Sequence, residues 1–449
     1  MSMNIRAYAL GIESYEDNRT VISMEEEAIL VEGAAQDLAD AQTTQAEVGR
    51  VEDIVDGLED MAAIADQIET ATPGDVAMVD TAQRIALAGS DVDSEEITPS
   101  IESYVGRTIS TEGIKELASK LWDSLKRALK KVWAKIESFF YKVFGTLPNM
   151  RKSLEALKKR AAEQSGKTIK EGKTELGGEV NAVARNWVAP KKGKDLIDGF
   201  KTLNGILTYG FNKHHLKTGE VGGALADSLN DYDFDKSDES LGKIIAAISG
   251  CIEEKEDTKG FVLSNVTGDK RFTAGDAKKT EDLFGNKAVY QVGGKKFAEA
   301  LVSSKASSLK GAELIRAFRL DVMMSADKDK DALTSGSIDT LIVAEVEEIA
   351  TQCIEVLDLV EEYQRGKAKK EATKARERME TATDKLQAAS KKREDMSAAD
   401  IAYYRSAMNF NSWFLQTATQ PNAALCSLAL AAVRASVVIC NKSLSNYSA

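Results

Sequence analysis

The chain has 449 residues, 43% hydrophobic and 29% charged, enough to bury substantial cores over two or three domains. Its formal net charge is −12, from 59 basic and 71 acidic residues, and a body of that sign repels phosphate. Only two histidines, the adjacent His214 and His215, leave little for histidine-based catalysis or a histidine-rich metal site, while only five prolines permit long helices.

The charge is not spread evenly. Residues 1–112 hold 25 Asp or Glu, five Arg and no Lys, a net of −20. Residues 113–449 hold 46 acidic and 54 basic side chains, a net of +8. The first segment reads as an acidic, loosely specified helical extension. Helices are expected at 25–38 and 51–68, where Val51, Ile54, Leu58, Met61 and Ile64 fall near helical spacing. Its only aromatics are Tyr8, Tyr15 and Tyr104, too few to pin a unique core. Pro73-Gly74 and Pro99 punctuate it, and 91–100 reads as a polar loop. Residues 1–10 lack the apolar stretch of a signal peptide.

The next stretch inverts the charge. Residues 113–160 carry 13 basic and four acidic side chains. Apolar residues from Ile114 through Leu121, Trp122, Leu129, Trp133, Phe139, Phe140 and Val143 recur at steps of three and four, one face of a helix over 113–144. Lysines and Arg127 fill the other face. Gly145 and Pro148 are expected to stop this helix, with a second basic helix from 149 to 163. Such a face can lie on a membrane, bind a partner or bind phosphates; equally, the apolar side can be core and the lysines merely solvated.

Residues 190–330 are mixed. Strand-like runs at 260–266 and 288–292, separated by Gly, Asp and Asn, read as a hairpin among helices at 196–207, 241–252 and 298–318. Residues 331–449 are helical again. An acidic amphipathic run covers 338–363, and Gly366 breaks it. Ala368, Ala372, Ala375, Met379, Ala382, Leu386 and Ala389 then alternate steps of four and three, the seam of a thin, close-packed helical hairpin or coiled coil. Helices at 397–416 and 422–444 complete a bundle. The apolar stretch 423–440 holds Arg434 near its middle and reads as a buried helix rather than a membrane span. The class is therefore mainly α, a helical bundle with basic amphipathic helices and a small α+β middle. Its regions are 1–112, 113–189, 190–330 and 331–449.

Motifs for chemistry are weak. Gly166-Lys167-Thr168 ends a phosphate-loop-like octet, but Ala161 stands at the first glycine and a helix precedes it, not a strand. Asp231, Asp233 and Asp235, and again Asp327, Asp329 and Asp331, begin like calcium loops. Both lack the glycine at position six (Lys236, Ala332) and the closing glutamate (Gly242, Ile338). Cys251, Cys353, Cys426 and Cys440 form no Cys-x-x-Cys pair and read as small buried hydrophobes. The histidine pair has no carboxylate or thiol at ligand spacing and reads as surface or turn. An enzyme in the middle region would need a concave polar pocket around that pair. No catalytic residue, metal or cofactor is assigned.

At the charge boundary lies Ser110-Thr111-Glu112, followed by Gly113. Ser94-Glu95-Glu96 and Ser100-Ile101-Glu102 sit just upstream. Acidic leader, Ser-Thr-Glu/Gly junction and the aromatic basic helix together resemble the internal head, or inner body, proteins of giant phiKZ-type tailed phages. The resemblance is clearest over 90–165. It implies a prohead protease that cuts after Glu in Ser/Ala/Gly-x-Glu, and a mature protein held inside the capsid with DNA and able to pass into the host cytoplasm. It implies no enzymatic activity. Cutting after Glu112 would remove −20 and leave +8. The expected DNA contacts are Lys126, Arg127, Lys130, Lys131, Lys135, Arg151, Lys152, Lys158, Lys159 and Arg160, sequence-independent, alongside other inner-body or capsid proteins. The rival is a membrane-active, host-directed effector, with Trp122, Trp133, Phe139 and Phe140 in a lipid interface.

Overall fold

The computed structural model describes residues 104–105, 108–109, 111–251, 261–266, 277–292, 319–324, 333–391 and 398–448. The expected helices at 25–38, 51–68 and 298–318, the loop at 91–100 and the Asp327 triplet lie outside the described residues.

A two-strand turn, β1 (Tyr104–Val105) against β2 (Thr108–Ile109), leads into α1 (Thr111–Glu163). The stripe Ile136, Phe139, Phe140, Val143, Leu147, Met150, Leu154, Leu157 and Ala161 is buried along one face. That stripe crosses Gly145 and Pro148, where the sequence predicts a stop; the two expected helices are one. Pro148 removes a backbone donor and crowds the preceding turn, a cost of about 3 kcal/mol. Burying each large apolar side chain beyond it returns about 1.5–3 kcal/mol, so the continued stripe wins. The Thr146 hydroxyl donates to the Val143 carbonyl at 2.7 Å, adding a donor at the disturbed turn.

The middle begins with β3 (Lys173–Leu176), the short α2 (Val180–Val183) and α3 (Gly193–Thr208). Asp195 accepts from the backbone N–H groups of Lys191 and Lys192 at 2.8 and 3.0 Å, fixing the start of α3. A π-helical turn (Tyr209–His214) joins α3 to α4 (His215–Asn230), and α5 (Ser237–Cys251) follows. The strands β4 (Leu263–Asn265), β5 (Ala277–Thr280), β6 (Lys287–Val292) and β7 (Arg319–Met324) form one antiparallel sheet in that order. The two expected strands are present as β4 and β6. They are not hairpin partners, because β5 is paired between them. At one corner the left-handed Asn186 and Trp187 (φ 51° and 60°) turn the chain, with Arg185 and Val188 exchanging backbone hydrogen bonds. The Trp187 N–H donates to Asn286 Oδ1 at 2.7 Å, holding a conformation a tryptophan resists.

β8 (Gly336–Asp339) pairs with β3, so Ile338 belongs to a strand and not to the acidic helix. That helix is α6 (Val343–Arg365), its start fixed by Glu345 Oε2 accepting from the Ile342 N–H at 3.1 Å. Next come α7 (Lys367–Lys391) and α8 (Ala398–Ser445). α8 runs unbroken through Pro421, so the expected helices at 397–416 and 422–444 are also one. Its stretch Pro421–Ser445 is long and apolar enough to cross a membrane but lies mostly buried within the body.

The heptad-like seam of α7 packs along α4. Ala368, Ala372, Ala375, Met379, Ala382 and Leu386 are buried there, whereas Ala389 is exposed. The partner is thus about 150 residues back in the sequence, not a neighbouring hairpin arm. Gly219 allows the close approach: a Cβ there would sit 3.2 Å from the Ala372 backbone nitrogen. α6 packs on α3 and α1, and α8 on α1, α4 and α6. Residues from Ala128 to Tyr447 share one apolar core.

Candidate functional site

The Glu112–Gly113 bond falls in the first turn of α1, directly after the β1–β2 turn. First-turn N–H groups have no intrahelical acceptors, so this is the part of a helix that unwinds at least cost. Ser94, Glu96, Ser100, Glu102 and Ser110 lie outside the described residues. The backbone of Thr111, Glu112, Gly113, Trp122 and Lys126 is helical, and their side chains lie outside the description.

The basic residues of α1 separate into two groups. Lys130, Lys152 and Lys159 are exposed, and Arg127, Lys131, Lys135 and Lys158 are partly so. Arg151 instead faces α6: its Nη2 lies 2.6 Å from Asp358 Oδ1 and 2.8 Å from Glu361 Oε2. Arg160 donates to Asn441 Oδ1 of α8 at 2.7 Å. Sequence alone could not separate these two from the solvated lysines, because their acceptors lie more than 200 residues downstream.

The aromatics are committed to packing. Phe139 is 0% and Phe140 3% exposed. Trp133 donates to Glu137 Oε1 at 2.6 Å, and the Arg376 guanidinium lies 4.1 Å over its ring. Lys369 Nζ stands 5.1 Å over the Phe140 ring. Trp133 therefore meets Arg376 while Phe140 meets Lys369, so α7 passes α1 antiparallel. The first half of α7 is itself basic, with Lys367, Lys370 and Lys374 exposed. The apolar seam of α7 was legible in the sequence; the role of these cations and their position beside α1 were not.

The histidine pair is a correction. Expected at the surface or in a turn, His214 and His215 are 6% and 3% exposed. Phe211 stacks on Tyr363 at 4.4 Å between ring centroids, and Tyr363 meets the edge of His215. His215 Nε2 lies 3.4 Å from the Tyr363 hydroxyl, and its Nδ1 lies 2.6 Å from Asn422 Nδ2. Burial lowers His214 to about 4. Burial, with His214 and Lys369 nearby, lowers His215 to about 3. Both are neutral packing groups at neutral pH.

The remaining motifs resolve locally. Asp233 accepts from the Asp235 N–H at 2.9 Å, a polar turn. Gly166 turns the chain (φ 80°) between α1 and β3, so the loop joins helix to strand, the reverse of a phosphate loop. Cys353, Cys426 and Cys440 are buried, and burial pushes their thiols up, away from the reactive thiolate. Among the described residues no three His, Cys, Asp or Glu side chains gather to hold a metal.

The family model of phiKZ-like phage internal head proteins matches residues 19–442, spanning both leader and body. The chain belongs to that family. No curated protein and no solved structure matches it. This internal head protein is a structural component of the phage head interior.

Proposed function

We propose that the internal head protein is made as a precursor, cut by a prohead protease after Glu112, and packed as a basic body against the phage DNA. The single observation that carries this is the reversal of charge at the junction: −20 before it, +8 after it. While attached, the leader offsets the cations of α1 and keeps the chain from binding nucleic acid prematurely. Once it is removed, counterion release from phosphates favours the body on DNA without base readout. Passage into the host cytoplasm with the DNA is part of the same reading.

Two features support it. The family match begins at residue 19, so the acidic leader belongs to the family pattern rather than being an appendage. The scissile bond lies in a helical first turn, where an extended substrate strand is readily formed. The membrane reading is less favoured, because it needs Phe139 and Phe140 at a lipid surface and both are core residues.

Mass spectrometry of the protein from virions tests the proposal. The expected result is an N-terminal peptide beginning at Gly113 and no peptides from 1–112. Leader peptides at full stoichiometry would overturn it.

A further inference from the structure

We infer that the nucleic-acid surface is a two-helix face, in which α7 contributes as much as α1. This rests on the proposed DNA association and adds a segment that the amphipathic pattern of α1 does not reveal.

Two chain segments more than 200 residues apart carry matching charge. Residues 127–142 of α1 hold five basic side chains and one acidic, and residues 367–378 of α7 hold six basic and two acidic, a net of +4 in each. Their combined net charge equals that of the whole chain beyond Glu112. The two ring contacts set them side by side: Arg376 over Trp133 at 4.1 Å and Lys369 over Phe140 at 5.1 Å. Both contacts advance seven residues, in opposite directions, so the basic stretches overlap along their length.

The seam of small residues holds α7 by its other side against α4, which turns Lys367, Lys370 and Lys374 to solvent. On α1 the buried stripe likewise leaves Lys130 exposed. Lys374 pairs with Glu371 at 3.1 Å, an exposed contact that phosphate can displace at little cost. Seven residues of helix span about 10 Å, so the shared stretch covers several phosphates of a duplex. Exposed lysines such as Lys130, Lys367, Lys370 and Lys374 act as point charges suited to phosphate rather than to base edges. The ligand is therefore a phosphate backbone, with duplex DNA as the partner.

The test uses the full chain carrying a specific protease sequence at the Glu112–Gly113 junction, purified whole and then cut. Binding to a random-sequence DNA duplex is measured against salt. One variant combines Lys367→Gln, Lys370→Gln and Lys374→Gln; a second combines Lys130→Gln, Lys131→Gln and Lys135→Gln. Circular dichroism and melting temperature check that each is folded. The inference expects each variant to lower the salt slope by about 2–3 and affinity by tenfold or more. Loss in the α1 variant with none in the α7 variant overturns the inference and leaves the DNA reading intact. Absence of binding by the cut parent protein overturns both, as does binding to anionic phosphatidylserine vesicles in place of DNA.

Discussion

His214 and His215 show how one residue's environment becomes a property of the whole protein. Both rings are buried: Tyr209 meets His214, and Tyr363 and Asn422 meet His215. Lys369 adds a like charge beside His215. Both groups therefore stay neutral when folded and take up protons near pH 6.5 when unfolded. Their stabilising contribution is complete above pH 6.5 and is lost as pH falls toward 4 and 3. For His214 alone the loss approaches about 3 kcal/mol. Urea midpoints between pH 7 and pH 4 should fall steadily, and His214→Gln should flatten the slope. A midpoint independent of pH in the parent protein would contradict the buried placement. The sequence showed two adjacent histidines without local partners. It could not show that the partners are Tyr363 and Asn422, on helices far along the chain.

At the scale of elements, periodicity was more informative than punctuation. Gly145 and Pro148 read as a helix stop, and 397–416 and 422–444 as separate helices, yet α1 passes through the first two and α8 runs on through Pro421. A proline costs a fixed local amount, whereas an apolar stripe on both sides contributes at every turn, and that sum is visible only once the opposing surface exists. The α7 seam was legible for the same reason: steps of four and three select one face whatever covers it. Its partner α4 was not, because Gly219, Gly222 and Gly223 carry no periodic apolar signal; their use is to let another helix approach. Gly222 is the sharpest case, since a Cβ there would meet the Phe414 ring at 2.1 Å. Gly222→Ala should destabilise the protein by about 1–3 kcal/mol, read as a lower urea midpoint at unchanged slope. The helix propensity of alanine acts in the opposite direction by about 1 kcal/mol, so a net gain would show that Phe414 has room to move.

For the whole molecule, closure depends on a polar clasp joining distant parts of the chain. Asn446 Nδ2 donates to the Lys173 carbonyl and the Thr174 and Thr340 hydroxyls at 3.1–3.2 Å. Thr174 also meets Ser443 at 2.9 Å, and the Tyr447 hydroxyl donates to the Leu341 carbonyl at 2.9 Å. Lys442 pairs with Glu179. Because Thr174, Thr340 and Ser443 are buried, removing the amide leaves hydroxyls that water cannot readily reach. Asn446→Ala should cost about 1–3 kcal/mol by thermal denaturation, more than an exposed Asn→Ala elsewhere. What the sequence by itself determined is what depends on residue type and spacing: the helical class, the charge reversal at Glu112, the buried stripe of α1 and the seam of α7. Tertiary structure alone decided which helices lie together, which cations are internal clamps and which face solvent, where the histidines sit, and that β5 separates β4 from β6. Periodicity specifies a face but not its partner, and charge specifies a sign but not a neighbour. Those are settled by packing between residues hundreds of positions apart.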